Sequence, residues 1–531
     1  MKLHGKWRQA TTVGLLSTIA LTGAAWAQSA GTPQRGGTFV LALAQDPPTV
    51  NPNITTSVPD QTTGCMIYEA LVDNTPAGET LPALAKSWTI SPDGLTYTFD
   101  LVQTEWQDGK PFTSEDVRYT LLEVSSKLSS VFAPAGRVIE GVEAPAPDKV
   151  VIKLKQPFGP LLVSLGCEYG SAILPAHLFK GTDPKTNPAT SATPVGTGPY
   201  KLSDWKRGDS MRLVRNPKYR DQTKPYFDEI VIKVISQTAS RLQALRGGEI
   251  DGISTFPPAS VAEVKADPKL KVVDSTSASQ NLLYFNVSKK PFDDKKLRQA
   301  LFMAIDRDYL MKNAFYEVGS VGTQPFTSAI SWAANPDIDY RKMYPFDVAK
   351  ANAALDAAGY KRGADGKRFS VRMKIFGNEY PELQQAAIAI KSMWQAVGVD
   401  SDIKPLESAT YIKEVFQERD FDVTFVGYSA YSDPALGIAR AYRASTVGQG
   451  YGNPSGYSHP KLEELWEKGE RATGPTERGK YYKEAQTILA EDLPALNLRQ
   501  YFPVNAVQKN VQGIWGATLG NGRYGTGWYS K

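Results

Sequence analysis

The sequence predicts an α/β fold built around at least one mostly parallel sheet. Residues 369–426 alternate strand and helix patterns in the order β–α–β–α–β, which is typical of parallel strands joined by right-handed crossovers. A further β–α–β pattern covers residues 229–253. Because 531 residues exceed the size of one ordinary core, two or three lobes are expected.

The first 27 residues are typical of a secretory signal peptide. Basic residues precede the apolar stretch 13–25, and Ala25-Trp26-Ala27 offers a small-residue cleavage site. A membrane anchor is the alternative, but this stretch falls short of the ~20 apolar residues that span a bilayer. We therefore expect cleavage after Ala27 and a mature chain in an extracytoplasmic space.

The charge of the mature chain gives no support for nucleic-acid or membrane-surface binding. Without the leader, 57 basic and 55 acidic residues remain, and no long basic run occurs. Cys65 and Cys167 are the two cysteines, and an oxidising compartment permits a disulfide between them, with two buried thiols as the alternative.

In the first half of the chain, apolar runs between breakers predict the elements. The turn at 91–94 lies between two β-rich runs and predicts a hairpin. Thr113 and the acidic residues after it predict a helix start. The predicted strands are 38–43, 88–90, 96–99, 149–154, 229–235 and 250–253, the predicted helices are 65–71, 113–122 and 238–245, and 51–61 is a candidate ligand loop.

In the second half, caps and periodicity are clearer. Asp293 or Asp294 caps a helix whose apolar face runs through Leu310, and Pro381 is placed as the first residue of a helix closed by Gly398. The predicted strands are 281–287, 369–376, 399–403, 421–426 and 495–507, and the further helices are 347–358, 410–417 and 461–489 with an interruption at 474–475.

The segment after the strand 421–426 is the leading candidate for a ligand contact. Gly427 is expected to end that strand, and residues 428–433 then form a loop of small, aromatic and acidic residues. In open α/β sheets, ligands bind in loops beyond the carboxyl ends of the strands. The sequence therefore predicts a binding loop here.

The sequence offers little for catalysis. Only His177 and His459 remain after the leader, and there is no nucleophile elbow or zinc-ligand spacing. The glycine pattern at 520–525 lacks the following helix that a dinucleotide site needs, and 196–200 suits a structural turn better than a phosphate loop. We expect no enzyme activity, no cofactor and no metal site.

Ordered motifs along the mature chain are similar to those of the family 5 extracellular solute-binding proteins of bacterial ABC importers, which include peptide, nickel and opine binders. Together, and in this order, they are specific. They are Arg35-Gly36-Gly37-Thr38, Ile67-Tyr68-Glu69-Ala70-Leu71-Val72, Pro82 to Trp88, Ser91-Pro92-Asp93-Gly94, Trp106 to Phe112, Glu115-Asp116-Val117, Gly196 to Tyr200, Gly248-Glu249-Ile250-Asp251, Phe285-Asn286, Pro291 to Asp294, Leu297 to Leu301 and Ala304 to Arg307.

The resemblance implies the two-lobed type II fold of periplasmic binding proteins, with a small subdomain on the first lobe and two chain crossings near 279–283 and 498–502. The implied divisions are the signal peptide 1–27, lobe I 28–278 with a subdomain at about 81–192, lobe II 279–500, and a return to lobe I over 501–531. It also implies a periplasmic monomer that passes a small organic solute to an inner-membrane permease with a cytoplasmic ATPase.

The family's peptide binders commonly carry G-W-x-x-D-x-x-(D/E)-P in this loop, where the first Asp holds the α-amino group of the peptide. Here the loop is one residue shorter and lacks that Asp, and Asp433-Pro434 keeps only the second acid. We expect Tyr428, Ser429, Tyr431 and Asp433 to contact the ligand, although Asp433 also suits a helix cap.

The missing acid argues against a simple peptide, and we expect a small organic solute that is oligopeptide-like, an opine or related. Opines, oligosaccharides, modified amino acids and chelated metal all stay open as ligands. A sensor or chaperone partner with the same fold is the alternative function, and a secreted hydrolase is a weaker one.

Overall fold

The computed structural model describes residues 32–55, 57–76, 78–275, 277–377, 380–515 and 525–530. The predicted signal peptide with its cleavage site and most of the glycine pattern at 520–525 lie outside the described residues. Within the described part, no helix is long and apolar enough to cross a bilayer.

The strands are distributed along the described chain, and several coincide with the predictions, among them 38–43, 149–154 and 369–376. They are β1 (Thr38–Leu43), β2 (Val72–Asn74), β3 (Thr80–Pro82), β4 (Ala85–Ile90), β5 (Thr96–Leu101), β6 (Ile139–Ala146), β7 (Lys149–Leu154), β8 (Tyr200–Lys206), β9 (Ser210–Arg215), β10 (Glu229–Val234), β11 (Gly252–Ile253), β12 (Leu270–Asp274), β13 (Ser279–Phe285), β14 (Ser320–Val321), β15 (Phe369–Phe376), β16 (Val399–Leu406), β17 (Val423–Ser429), β18 (Ala495–Tyr501), β19 (Val504–Gln508), β20 (Val511–Gln512) and β21 (Trp528–Tyr529).

The α-helices lie between these strands, with π-helical turns at Thr120–Ser125 and Ile412–Gln417 and several short 3-10 turns. They are α1 (Val58–Ile67), α2 (Ser114–Tyr119), α3 (Ser126–Leu128), α4 (Ala133–Val138), α5 (Leu161–Ser164), α6 (Ala176–Phe179), α7 (Thr238–Gly247), α8 (Val261–Ala266), α9 (Lys295–Met303), α10 (Arg307–Asn313), α11 (Tyr340–Met343), α12 (Val348–Ala357), α13 (Pro381–Ala396), α14 (Ser408–Tyr411), α15 (Pro460–Arg471) and α16 (Pro475–Asp492).

The first lobe is built on a sheet with the strand order β12-β19-β11-β1-β10-β9-β8. Strand β1 is parallel to both β10 and β11, which confirms the predicted β–α–β unit through α7. A four-stranded antiparallel sheet, β4-β5-β7-β6, forms a subdomain on this lobe. Its first two strands are the predicted hairpin, with Trp88 opposite Phe99.

The second lobe is built on the sheet β14-β18-β13-β17-β15-β16. Strand β15 is parallel to β16 and β17, which confirms the predicted β–α–β–α–β order. Strand β17 is central, and its residues 423–426 are all buried. A strand covered on both faces needs such a continuous apolar run.

The chain passes between the two sheets twice, once after β12 ends at Asp274 and before β13 begins at Ser279, and once between β18 and β19. The two-lobed α/β architecture with a subdomain and two crossings is therefore present. The predicted crossing ranges fall mostly inside β13 and β18, because those residues pair in the second sheet. The predicted strand 495–507 is divided in two, because β18 pairs in the second sheet and β19 in the first.

Three further predictions need correction. Helix α1 begins at Val58, where Pro59 suits its first turn, so residues 58–61 of the predicted loop 51–61 are helical. The helix predicted at 65–71 ends at Ile67. The predicted helix through Leu310 is two helices, because the side chain of Asp306 accepts from Tyr309 N and caps α10. Strand β17 extends through Ser429 instead of ending at Gly427.

Candidate functional site

The carboxyl ends of the parallel strands in one sheet face the carboxyl ends of those in the other. Strand β12 ends at Asp274 opposite Val504, where β19 begins, and β17 ends at Ser429 opposite Ser279, where β13 begins. Only two residues join Tyr501 to Val504, so their Cα atoms lie within about 11 Å. The loops beyond these strand ends therefore meet in one cleft between the lobes.

Tyr428 and Ser429 belong to β17 itself, contrary to the predicted loop. Strand pairing continues past Gly427 because its position faces only the Asn281 amide, with room to spare. The Tyr428 side chain is 1% exposed, and its hydroxyl donates to Gly452 O at 2.6 Å. Ser429 Oγ lies 2.9 Å from Ser277 Oγ in a crossing segment.

The next residues of this loop contact the first lobe. The Tyr431 ring packs 5.3 Å from the Tyr169 ring, and Ser432 Oγ shares a 2.7 Å hydrogen bond with Tyr169 Oη. Tyr431 has a φ of 50°, which turns its side chain out of the strand direction. The loop after β17 thus joins the two lobes.

A disulfide anchors the partner of this contact. Cys65 in α1 and Cys167 are joined, with their Cα atoms 6.0 Å apart. Cys167 opens the 3-10 turn Cys167–Tyr169, so the crosslink holds the segment that presents Tyr169 to the second lobe. The two cysteines that the sequence left open are therefore paired in the structure.

Asp433 forms a buried ion pair with Arg478 of α16. Arg478 Nη1 and Nη2 donate to the two carboxylate oxygens at 2.5 and 2.8 Å, and Ala435 N donates to Asp433 Oδ1 at 2.9 Å. Burial opposes the Arg478 charge, yet the Asp433 carboxylate raises the pKa of that guanidinium. No α-helix begins at Pro434, so the carboxylate caps a turn and holds Arg478 instead.

Arg440 is a residue that sequence reasoning missed. Its guanidinium carbon lies 5.7 Å from the Tyr428 ring centroid and 6.0 Å from that of Tyr431. It lies in the 3-10 turn Ile438–Ala441, and the chain returns to it through a tight turn at Gly437. A Cβ at Gly437 would lie 2.1 Å from Ala430 O, so only glycine fits this turn as it stands.

The edges of both sheets also present large apolar side chains. Val58 is 56% exposed at the start of α1, Tyr380 is 37% exposed after β15, and Phe502 is 37% exposed in a crossing segment. Tyr380 follows the end of β15, and Phe502 follows the end of β18.

The candidate loop 51–61 has a buried acid at its end. Burial raises the pKa of Asp60 to about 6, against the lowering effect of hydrogen bonds from Thr55, Thr49 and Ser57.

In the described chain, no cluster of three or more His, Cys, Asp or Glu side chains is arranged to hold a metal.

The comparisons with known proteins agree with this architecture. Residues 79–450 match the model of the bacterial extracellular solute-binding proteins, family 5. The dipeptide-binding protein of Escherichia coli K12 is 26% identical over 523 residues, 94% of each chain. The glutathione-binding protein of Salmonella typhimurium is 28% identical over 527 residues, 96% of each chain.

A solved structure extends the likeness to three dimensions. The periplasmic binding protein DppA from Helicobacter pylori, in complex with the peptide STSA, superposes with a TM-score of 0.79 at 26% identity. The match covers 94% of this chain and 99% of that one.

Proposed function

Because the chain belongs to the family 5 bacterial extracellular solute-binding proteins, it is a substrate-binding receptor of an ABC importer, and we propose that it captures a small organic solute between its two lobes. The solute then passes to an inner-membrane permease driven by a cytoplasmic ATPase. The family and these relatives are binding proteins, so we propose binding without turnover.

The contact between the loop after β17 and the first lobe carries this proposal. Tyr431 and Ser432 of the second lobe meet Tyr169 of the first, so a solute held beside them touches both lobes. A second contact, Gly159 N donating to Glu470 O at 2.7 Å, joins the subdomain to the second lobe. A ligand that contacts both lobes favours the closed form over the open one.

We propose an oligopeptide-like, opine or related solute. A simple peptide has an α-amino group that needs a carboxylate, and the Asp433 carboxylate is already paired with Arg478. We propose Ser429 and Tyr431 as contacts and Tyr428 as the wall behind them. The lobe boundaries at residues 278 and 500, cleavage after Ala27 and a monomeric state belong to the same proposal.

The test is mass spectrometry of small molecules released from protein purified from the periplasm without denaturant. We expect one organic solute at high occupancy, and small-angle scattering should show a more compact protein with it than without it. Chemical conversion of that solute by the purified protein would refute binding without turnover. A free-amine peptide held at high occupancy would refute the preference against simple peptides.

A further inference from the structure

Arg440 holds a positive charge at the lobe boundary, and no carboxylate among the described residues pairs with it. Its Nε atom is buried and has no hydrogen-bond acceptor within the described residues. Over the same part of the chain, no Asp or Glu forms an ion pair with its guanidinium. A partly buried cation without an acceptor loses hydration that nothing in the protein replaces.

The two other arginines near this loop are paired. Arg478 is held by Asp433, and Arg443, three residues after Arg440, lies 2.8 Å from the Glu470 carboxylate. Of these three arginines, Arg478 and Arg443 therefore each have a carboxylate partner, and Arg440 has none within the described residues.

The aromatic neighbours of Arg440 hold its guanidinium without neutralising it. Tyr428 is fixed from behind by its hydrogen bond to Gly452, and the Tyr431 ring is fixed by Tyr169. Ring faces attract a guanidinium and orient its plane, while its N–H groups stay free to donate. Since Tyr431 contacts Tyr169 of the first lobe, only the Tyr431 ring separates the Arg440 guanidinium from the opposite wall of the cleft.

We propose that Arg440 is the anion-binding residue of the solute site and takes a carboxylate of a peptide-like or opine-like acid. The planar guanidinium donates two parallel hydrogen bonds to that carboxylate, and Tyr428 and Tyr431 position it. This inference rests on the proposed receptor function and adds the residue that binds the acid group of the ligand.

The test uses the mature full chain and one mixture of probes. Wild type, R440Q, R440K and R471Q, each stripped of ligand by unfolding and refolding, are mixed with casein peptides, N-(1-carboxyalkyl) amino acids and neutral oligosaccharides. Native mass spectrometry identifies the retained species. Arg471 lies on the surface of α15 beside Glu467, so R471Q is a matched control for the loss of one arginine.

We expect wild type and R471Q to retain the same acid, with affinity about 30-fold or more weaker in R440Q. R440K should be intermediate, because an ammonium cannot make the planar two-bond contact. The retained acid is then resynthesised with each carboxylate converted in turn to an amide. One amide should weaken binding to wild type by a similar factor and bind R440Q no worse than the acid does.

Each other outcome overturns the inference. Equal affinity of wild type and R440Q, equal binding of acid and amides, or retention of a neutral oligosaccharide refutes the role of Arg440 but leaves the receptor function standing. Retention of no species by wild type refutes both. The acid-to-amide comparison within R440Q separates lost recognition from a general packing defect.

Discussion

Replacing Asp433 with asparagine tests whether its carboxylate supports the fold or binds the solute. The side chains of Asp433 and Arg478 are 2% and 5% exposed, and both carboxylate oxygens accept from the guanidinium. Removing one partner of such a buried pair costs about 3–5 kcal/mol, because the other charge stays buried and unpaired. Asparagine keeps one acceptor oxygen, so we expect D433N to lower the free energy of unfolding by about 3 kcal/mol and D433A to lower it by about 5 kcal/mol.

The assay is urea unfolding followed by tryptophan fluorescence and circular dichroism. The exposed pair of Asp308 with Arg341 gives a matched control, and D308N should cost less than about 1 kcal/mol. The double variant D433N/R478M should lose less stability than the two single variants together, since it leaves no unpaired charge. A D433N protein within 1 kcal/mol of wild type, but with weakened solute binding, would refute the structural role.

Three further predictions concern the loops around the cleft. Folding raises the pKa of Asp60 from 3.8 to about 6. The contribution of its protonated carboxyl to stability is therefore fully present below pH 3.8 and is lost as pH rises through 6. Between pH 4 and pH 8, the free energy of unfolding in urea should fall by about 3 kcal/mol more in wild type than in D60N. An equal fall in the two proteins would contradict this. The double variant C65S/C167S frees a 102-residue loop and should lose about 4–5 kcal/mol by the same assay, whereas unchanged stability would contradict the crosslink's role. G437A should lower the free energy of unfolding by about 1–3 kcal/mol, because its Cβ would meet Ala430 O. It should also weaken solute binding in titration calorimetry. Binding as tight as that of wild type would show that the turn can adjust to the extra Cβ.

The helix caps and crossover units were predictable from the sequence because their signals are local. Asp347 caps α12, and Gly359, with a φ of 92°, follows its end. Pro381 opens α13, and the next strand begins just after Gly398. These choices depend on neighbours within a few residues, so the alternation that defines the parallel sheet is readable along the chain.

Strand ends were less predictable because pairing partners decide them. Gly427 read as a break, yet β17 continues through Ser429 because β13 offers partners as far as Ser279. Tyr428 then points into the second lobe, where its hydroxyl finds Gly452, and not into an open loop. A glycine allows the backbone conformations of a turn, but strand pairing with the neighbouring strand determines whether a turn forms.

The sequence by itself determined the α/β class, the order of its crossover units and the approximate position of the loop after β17, and the family resemblance added the two lobes. Tertiary structure decided what that loop can do. The Asp433–Arg478 pair spans 45 residues and the Tyr169–Ser432 contact spans 263. Which acid neutralises which arginine depends on distances that only packing sets, and within the described residues packing places no acid against Arg440.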